Sequence, residues 1–127
     1  MKTFKDSLLI PLGGTAYGLI EVLWRGHTHW TMLLLGGLCF YIMAQIGSIS
    51  ALPLYLRAVP CAYCITILEF LTGCIVNLLL GWNVWDYSTQ PFNFMGQICL
   101  PYLGYWYLLS IPTIVIACRL KLRLIKN

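Results

Sequence analysis

The sequence predicts an all-α membrane protein, a four-transmembrane-helix bundle with a structured outer loop between helices 3 and 4. Three observations carry this reading. Of 127 residues, 60% are hydrophobic and 9% charged, with a mean hydropathy of +0.80, which is too little charge to cover a soluble domain of this size. Four apolar runs, at about 7–24, 31–49, 58–82 and 98–118, are each near the roughly 20 residues that cross a bilayer's hydrocarbon core. The last two runs are separated by GWNVWDYSTQPFNFMGQICLP, residues 81–101, a polar and aromatic stretch with one carboxylate and no cation. Little chain is left outside these runs, so residues 1–127 read as a single integral membrane domain.

The first run follows Lys2 and Lys5 and has the outline of a signal peptide. It carries Glu21 near its end, lacks a small-x-small cleavage site and is followed by Trp24-Arg25, so it is read as a transmembrane helix. Gly14 and Gly18 lie four apart, on one face suited to close helix contact. Glu21 and Arg25 are also four apart, with the acid first, the favourable order for an ion pair. The second run contains Gly36-Gly37, again suited to close packing, with Gln45 and Ser48 among its few polar groups. A break at SISALP leads to the third run, whose start is set by Pro53 or Pro60, both suited to a first turn.

The third run is the informative one. Thr66, Glu69, Gly73 and Asn77 recur at intervals of three, four and four, which draws a polar stripe along one helix face. A carboxylate within lipid is costly unless it is paired, protonated or facing water, so Glu69 is expected to point into the bundle. The bland alternative is a protonated Glu that only fastens helices together. The fourth run has Pro101 near its start and Pro112 inside. Tyr102, Tyr105, Trp106 and Tyr107 crowd its outer half, where most of them fit an interfacial aromatic belt. Trp82 and Trp85 fit the same anchoring role. Asp86 precedes Tyr87-Ser88, a pattern in which the carboxylate shapes a turn. Asn93 and Gln97 suit a loop folded back as a lid over a cavity beside Glu69 and Asn77.

Lysines and arginines set the orientation. Lys2 and Lys5 lie at one end, Arg119, Lys121, Arg123 and Lys126 at the other, and Arg57 in the loop on the same side, against Arg25 alone opposite. Both termini are therefore expected to be cytoplasmic, in a multi-pass protein of the cell membrane. The basic ends suit anionic lipid, and no nucleic-acid partner is expected.

At this point the chain resembles a known family. ILEFLTGCIVNLLLGWNVWDYSTQPFNFMGQICLP is similar to the core signature of the ABC-transporter type IV proteins, also called CmpB-like. GGTAYGLIEVLWRGHTHWTMLLLGGLCF resembles the short clostridial-type branch of that family. The signature residues here are Glu69, Trp85, Asp86, Tyr87, Ser88, Pro91, Phe92, Asn93 and Gly96. The resemblance implies a small permease-like or transport-associated membrane protein and names no substrate. The chain has no G-x-x-x-x-G-K-[ST] loop, so ATP coupling would need a partner. A single four-helix unit is expected to form a path as a homo-oligomer or with a partner membrane protein. The substrate-binding candidates are Glu69, Asn77, Asp86, Asn93, Glu21 and Arg25.

Competing readings come from other residues. Cys61 and Cys64 form PCAYC, a C-x-x-C at a helix start. Four spans with such a pair resemble the membrane thiol-disulfide oxidoreductases of the DsbB and VKOR type. Against this, orientation puts the pair on the reducing side, and no clear second cysteine pair lies opposite. Free Cys buried as a small hydrophobe is the bland alternative. His27 and His29 lack an established metal-ligand spacing, and no catalytic triad order or nucleophile elbow is present. No enzyme activity, cofactor or metal is expected. A structural or interaction protein is the remaining alternative.

Overall fold

The structure is a computed structural model that describes residues 7–47 and 51–126. Lys2, Lys5 and Ser48, which entered the reading above, lie outside these residues. Among the described residues four long helices pack together: α1 (Leu9–Arg25), α2 (Trp30–Gly47), α3 (Leu54–Gly73) and α4 (Leu100–Lys126). The last three are long and apolar enough to cross a membrane. α1 has 17 residues. The membrane class and the helical fold stand as the sequence predicts.

Helix ends follow local chemistry. α1 closes at Gly26, whose φ of 84° lets its N–H return to the Val22 carbonyl. α2 starts under His29: Nδ1 accepts from the Thr31 N–H at 3.3 Å and pairs with the Thr31 hydroxyl at 2.7 Å. This is the role the structure gives one of the two histidines in the loop. α3 begins at Leu54, after Pro53 in extended conformation, and runs through Pro60. The start is thus set by Pro53, and it lies four residues before the expected one at 58. α4 continues to Lys126, beyond the expected end at 118. Pro112 lies inside it and cannot donate to the carbonyl one turn back.

α1 and α2 meet along a seam of glycines. A Cβ on Gly14 would stand 2.5 Å from the Leu33 carbonyl oxygen, and one on Gly37 would fall on the Ile10 carbonyl. The backbones therefore touch at two points, as small residues in the membrane permit. α2, α3 and α4 share a second core in which Cys39, Met43, Ala58, Cys61, Ile65 and Ile114 are buried. α1 touches α4 only slightly, and the space between them becomes important below.

α3 does not stop at Gly73. It widens into one π-helical turn, Cys74–Leu79, whose hydrogen bonds span five residues, as from the Leu80 N–H to the Ile75 carbonyl. The chain then turns at Gly81 (φ 68°) and enters the connection to α4. That connection is ordered. It holds a short antiparallel hairpin, β1 (Asn93–Phe94) and β2 (Ile98–Cys99), with Asn93 opposite Cys99 and Phe94 opposite Ile98.

Candidate functional site

Glu69 lies one turn before the end of α3 at Gly73 and is 2% exposed. Oε2 accepts the Tyr87 hydroxyl at 3.0 Å and Oε1 accepts the Trp106 indole N–H at 3.3 Å. One donor comes from the α3–α4 connection and the other from α4, so the carboxylate joins three parts of the fold. Tyr87 is held flat against Tyr102, with ring centroids 4.6 Å apart. Burial, and then the Glu69 carboxylate, push the Tyr87 hydroxyl well above the usual phenol range, so it stays protonated and donates. Trp106, expected in an interfacial belt, instead spends its N–H on Glu69. Trp85, also expected as an interfacial anchor, is buried and donates to the Gln97 carbonyl at 3.0 Å. Trp82 is the exposed one, packed beside Trp30 and His29.

A second carboxylate faces the same region from α1. Glu21 is 6% exposed. It accepts from Thr28 at 2.7 Å and Tyr17 at 3.0 Å, and lies 3.5 Å from Arg25. The expected pair is therefore present. Arg25 Nη2 also reaches the Val84 carbonyl at 3.4 Å, while its Nε is buried without a partner among the described residues. Tyr17 and Trp106 stand between the two carboxylates, with ring centroids 6.3 Å apart.

Two cavities meet at Tyr17 and Trp106. One, of about 240 Å³, is walled by Glu21, Arg25 and the rings of Trp85, Tyr87 and Tyr102. The other, of about 300 Å³, borders Glu69 and extends between apolar side chains of α1, α2 and α4, among them Leu12, Leu35, Phe40 and Leu120.

The other candidates serve the connection itself. Asn77 is buried on the π-helical turn. Its Oδ1 accepts the Val84 N–H at 2.6 Å and the Trp85 N–H at 3.4 Å, and its Nδ2 donates to Gln97 Oε1 at 2.8 Å. Asp86 is exposed and accepts the Ser88 N–H at 2.9 Å. That backbone bond holds its carboxyl below the usual carboxylate range. Asn93 donates to the Ser88 and Gln90 carbonyls and accepts the Gly96 N–H. The structure thus gathers Glu69, Glu21 and Arg25 about the cavities. Asn77 lies on the π-helical turn, and Asp86 and Asn93 lie in the connection, whose Trp85 and Tyr87 line the smaller cavity. Sequence reasoning passed over Tyr17, Thr28 and Tyr87 as partners of the carboxylates. Tyr17 lies four residues before Glu21, a spacing that could have shown it.

Residues 15–126 match the family described as Putative ABC-transporter type IV, the CmpB type. The chain belongs to this family. No curated protein and no solved structure matches it. Glu69 and Tyr87, two of the residues that carry the CmpB-type resemblance, are in hydrogen-bond contact, while Asp86, Ser88, Asn93 and Gly96 build the turn that presents Tyr87. The Tyr87 N–H donates to the Gly96 carbonyl at 2.7 Å. The cysteine pair has a different setting. Cys61 and Cys64 are free thiols, and Cys61 is fully buried in the α2–α3–α4 core, which fits a small apolar residue.

Proposed function

We propose that this CmpB-type chain is a small permease-like or transport-associated protein that crosses the cell membrane four times, with both termini cytoplasmic and a substrate site at Glu69. One observation carries the reading. Glu69 is a buried carboxylate beside a cavity, and its hydrogen-bond partners among the described residues, Tyr87 and Trp106, are neutral. An intramembrane carboxylate without a cation is costly, and such residues mark substrate or ion pathways. A role limited to fastening helices needs no cavity beside the charge. In this reading Glu21 and Arg25 complete the site, and Asn77, Asp86 and Asn93 hold the segment that covers it. A homo-oligomer or a partner membrane protein completes the path, and ATP coupling comes from a partner.

Glu69→Gln tests the site. Gln keeps the size and accepts at one oxygen, but it removes the charge. The variant is expected to fold, with a melting temperature within a few degrees of the native chain. Small molecules that co-purify with the native chain, detected by native mass spectrometry, are expected to be lost. If the variant retains the same bound species, or fails only by unfolding, the carboxylate is structural and the reading falls.

Orientation is tested at Ser88, which is exposed on the α3–α4 connection. With the native cysteines replaced, Ser88→Cys is expected to react with a membrane-impermeant thiol reagent added outside intact cells. Reaction only after lysis would place both termini outside.

A further inference from the structure

We infer that the paired cavities bind an organic ammonium ion with an apolar body, its cationic centre held where Tyr17 and Trp106 face both cavities. This rests on the reading of Glu69 as a substrate site and names the chemical class of that substrate. Charge supplies the first step. Glu21 and Glu69 bring two carboxylates to the region and Arg25 brings one guanidinium, already engaged with Glu21. Among the described residues Glu69 has no cation of its own, and the salt bridge found is Glu21–Arg25. Both oxygens of Glu69 accept hydrogen bonds, from Tyr87 and Trp106. That arrangement suits an ionised carboxylate and leaves one negative charge for an incoming cation.

The walls supply the second step. The faces of Tyr, Trp and Phe attract cations, most strongly where water is excluded. Here Tyr17, Trp85, Tyr87, Tyr102 and Trp106 surround the smaller cavity. Tyr87 and Trp106 each have their polar hydrogen directed to Glu69, and Tyr17 has its own directed to Glu21. Hydrogen bonding thus fixes three of the rings and orients the carboxylates beside them. An inorganic cation such as Na⁺ wants several oxygen ligands, whereas the two cavities offer mostly ring and aliphatic carbon with one carboxylate each, Glu21 in the smaller and Glu69 in the larger. An oxygen substituent near the ammonium would meet Arg25 Nε, a buried donor with no partner among the described residues.

The shape supplies the third. The larger cavity runs from Glu69 between Leu12, Leu35, Phe40 and Leu120, an apolar space that suits a hydrocarbon or aromatic body. α1 and α4 touch only slightly, and Ile20 of α1 and Leu108 and Ile116 of α4 are exposed and line the cavities. A molecule dissolved in the bilayer therefore has a lateral way in.

The test compares benzyltrimethylammonium with neopentylbenzene, its neutral isostere, on the full chain in nonionic detergent, read by tryptophan fluorescence and by calorimetry. Saturable binding of the cation is expected, at least tenfold tighter than the isostere. Glu69→Gln is expected to weaken the cation at least tenfold and to leave the isostere unchanged. Trp106→Phe, which keeps a ring but loses the indole donor, is expected to weaken it less. Equal binding of cation and isostere, or no saturable binding to the native chain, overturns the inference whether or not any variant folds. Flux separates this inference from the transport reading on which it rests. If the cation binds but native membrane vesicles from cells that make the chain, with any partner present, carry it no faster than vesicles from cells lacking the chain, the ammonium site stands and the transport reading falls. If the cation does not bind while co-purifying molecules are still lost in Glu69→Gln, the site stands and the ammonium class falls.

Discussion

Asn77→Leu is expected to detach the α3–α4 connection from the bundle and to cause one of the two largest losses of stability in the protein. Asn77 is buried and makes three hydrogen bonds to that segment, two to backbone N–H groups and one to Gln97. Leu fills a similar volume but offers no polar atom, so the Val84 N–H and the Gln97 side-chain Oε1 are left buried and unpaired. Each orphaned group costs about 1–3 kcal/mol. The sum corresponds to a melting temperature lower by on the order of 10 °C. The position of the loss is measurable as well as its size. Cys99 sits in β2 and is buried, and burial pushes its thiol up, so it reacts slowly in the native fold. Freed from Asn77, the hairpin should expose Cys99 to a thiol-reactive dye at temperatures where buried Cys39 and Cys61 of the helical core remain protected. Asn77→Asp keeps the acceptor for Val84 and loses the donor to Gln97, so it should fall between Leu and the native chain. Native-like Cys99 labelling in Asn77→Leu would show that the segment is held by its apolar contacts alone.

The same side chain shows how much could be read in advance. The spacing of Thr66, Glu69, Gly73 and Asn77 puts all four on one face, and the last three are buried while Thr66 is half-buried. That periodicity assumes an α-helix, however, and Asn77 lies on a π-helical turn that spacing does not reveal. The four apolar runs and the two Gly pairs were legible because length and small-residue spacing are local properties. What escaped was which aromatic rings turn inward. Trp85 and Trp106 have the composition of interfacial anchors, and only the tertiary fold shows that their N–H groups have buried acceptors, the Gln97 carbonyl and Glu69. Trp82 and Trp85 are three residues apart and have opposite fates, because the turn at Gly81 and Asn83 reverses the backbone between α3 and the buried Val84-Trp85 pair. The i,i+4 pair Glu21–Arg25 was legible for the opposite reason, since one helix sets its geometry.

The other large effect belongs to the glycine seam. Gly37→Ala places a methyl group on the Ile10 carbonyl, and Gly14→Ala places one 2.5 Å from the Leu33 carbonyl oxygen. Backbone cannot step aside as a side chain does, so α1 and α2 must separate. Overpacking of this kind costs about 1–3 kcal/mol. Gly104→Ala is the internal control, because nothing lies within 4 Å of its added Cβ, and a better helix former there should leave the melting temperature unchanged or slightly higher. The double variant Gly14→Ala/Gly37→Ala should cost less than the two single losses added together, since the first substitution already opens the seam that the second would strain. The seam also governs the site. Tyr17, Glu21 and Arg25 all ride on α1, which packs mainly on α2 and only slightly on α4, so moving α1 shifts one wall of both cavities. Each seam variant should therefore weaken binding of the ammonium probe while Gly104→Ala does not. Unchanged stability in Gly37→Ala, measured by the same thiol-dye melt, would mean that α1 and α2 do not approach through their backbones, and α1 would lose its role as the fixed wall of the site.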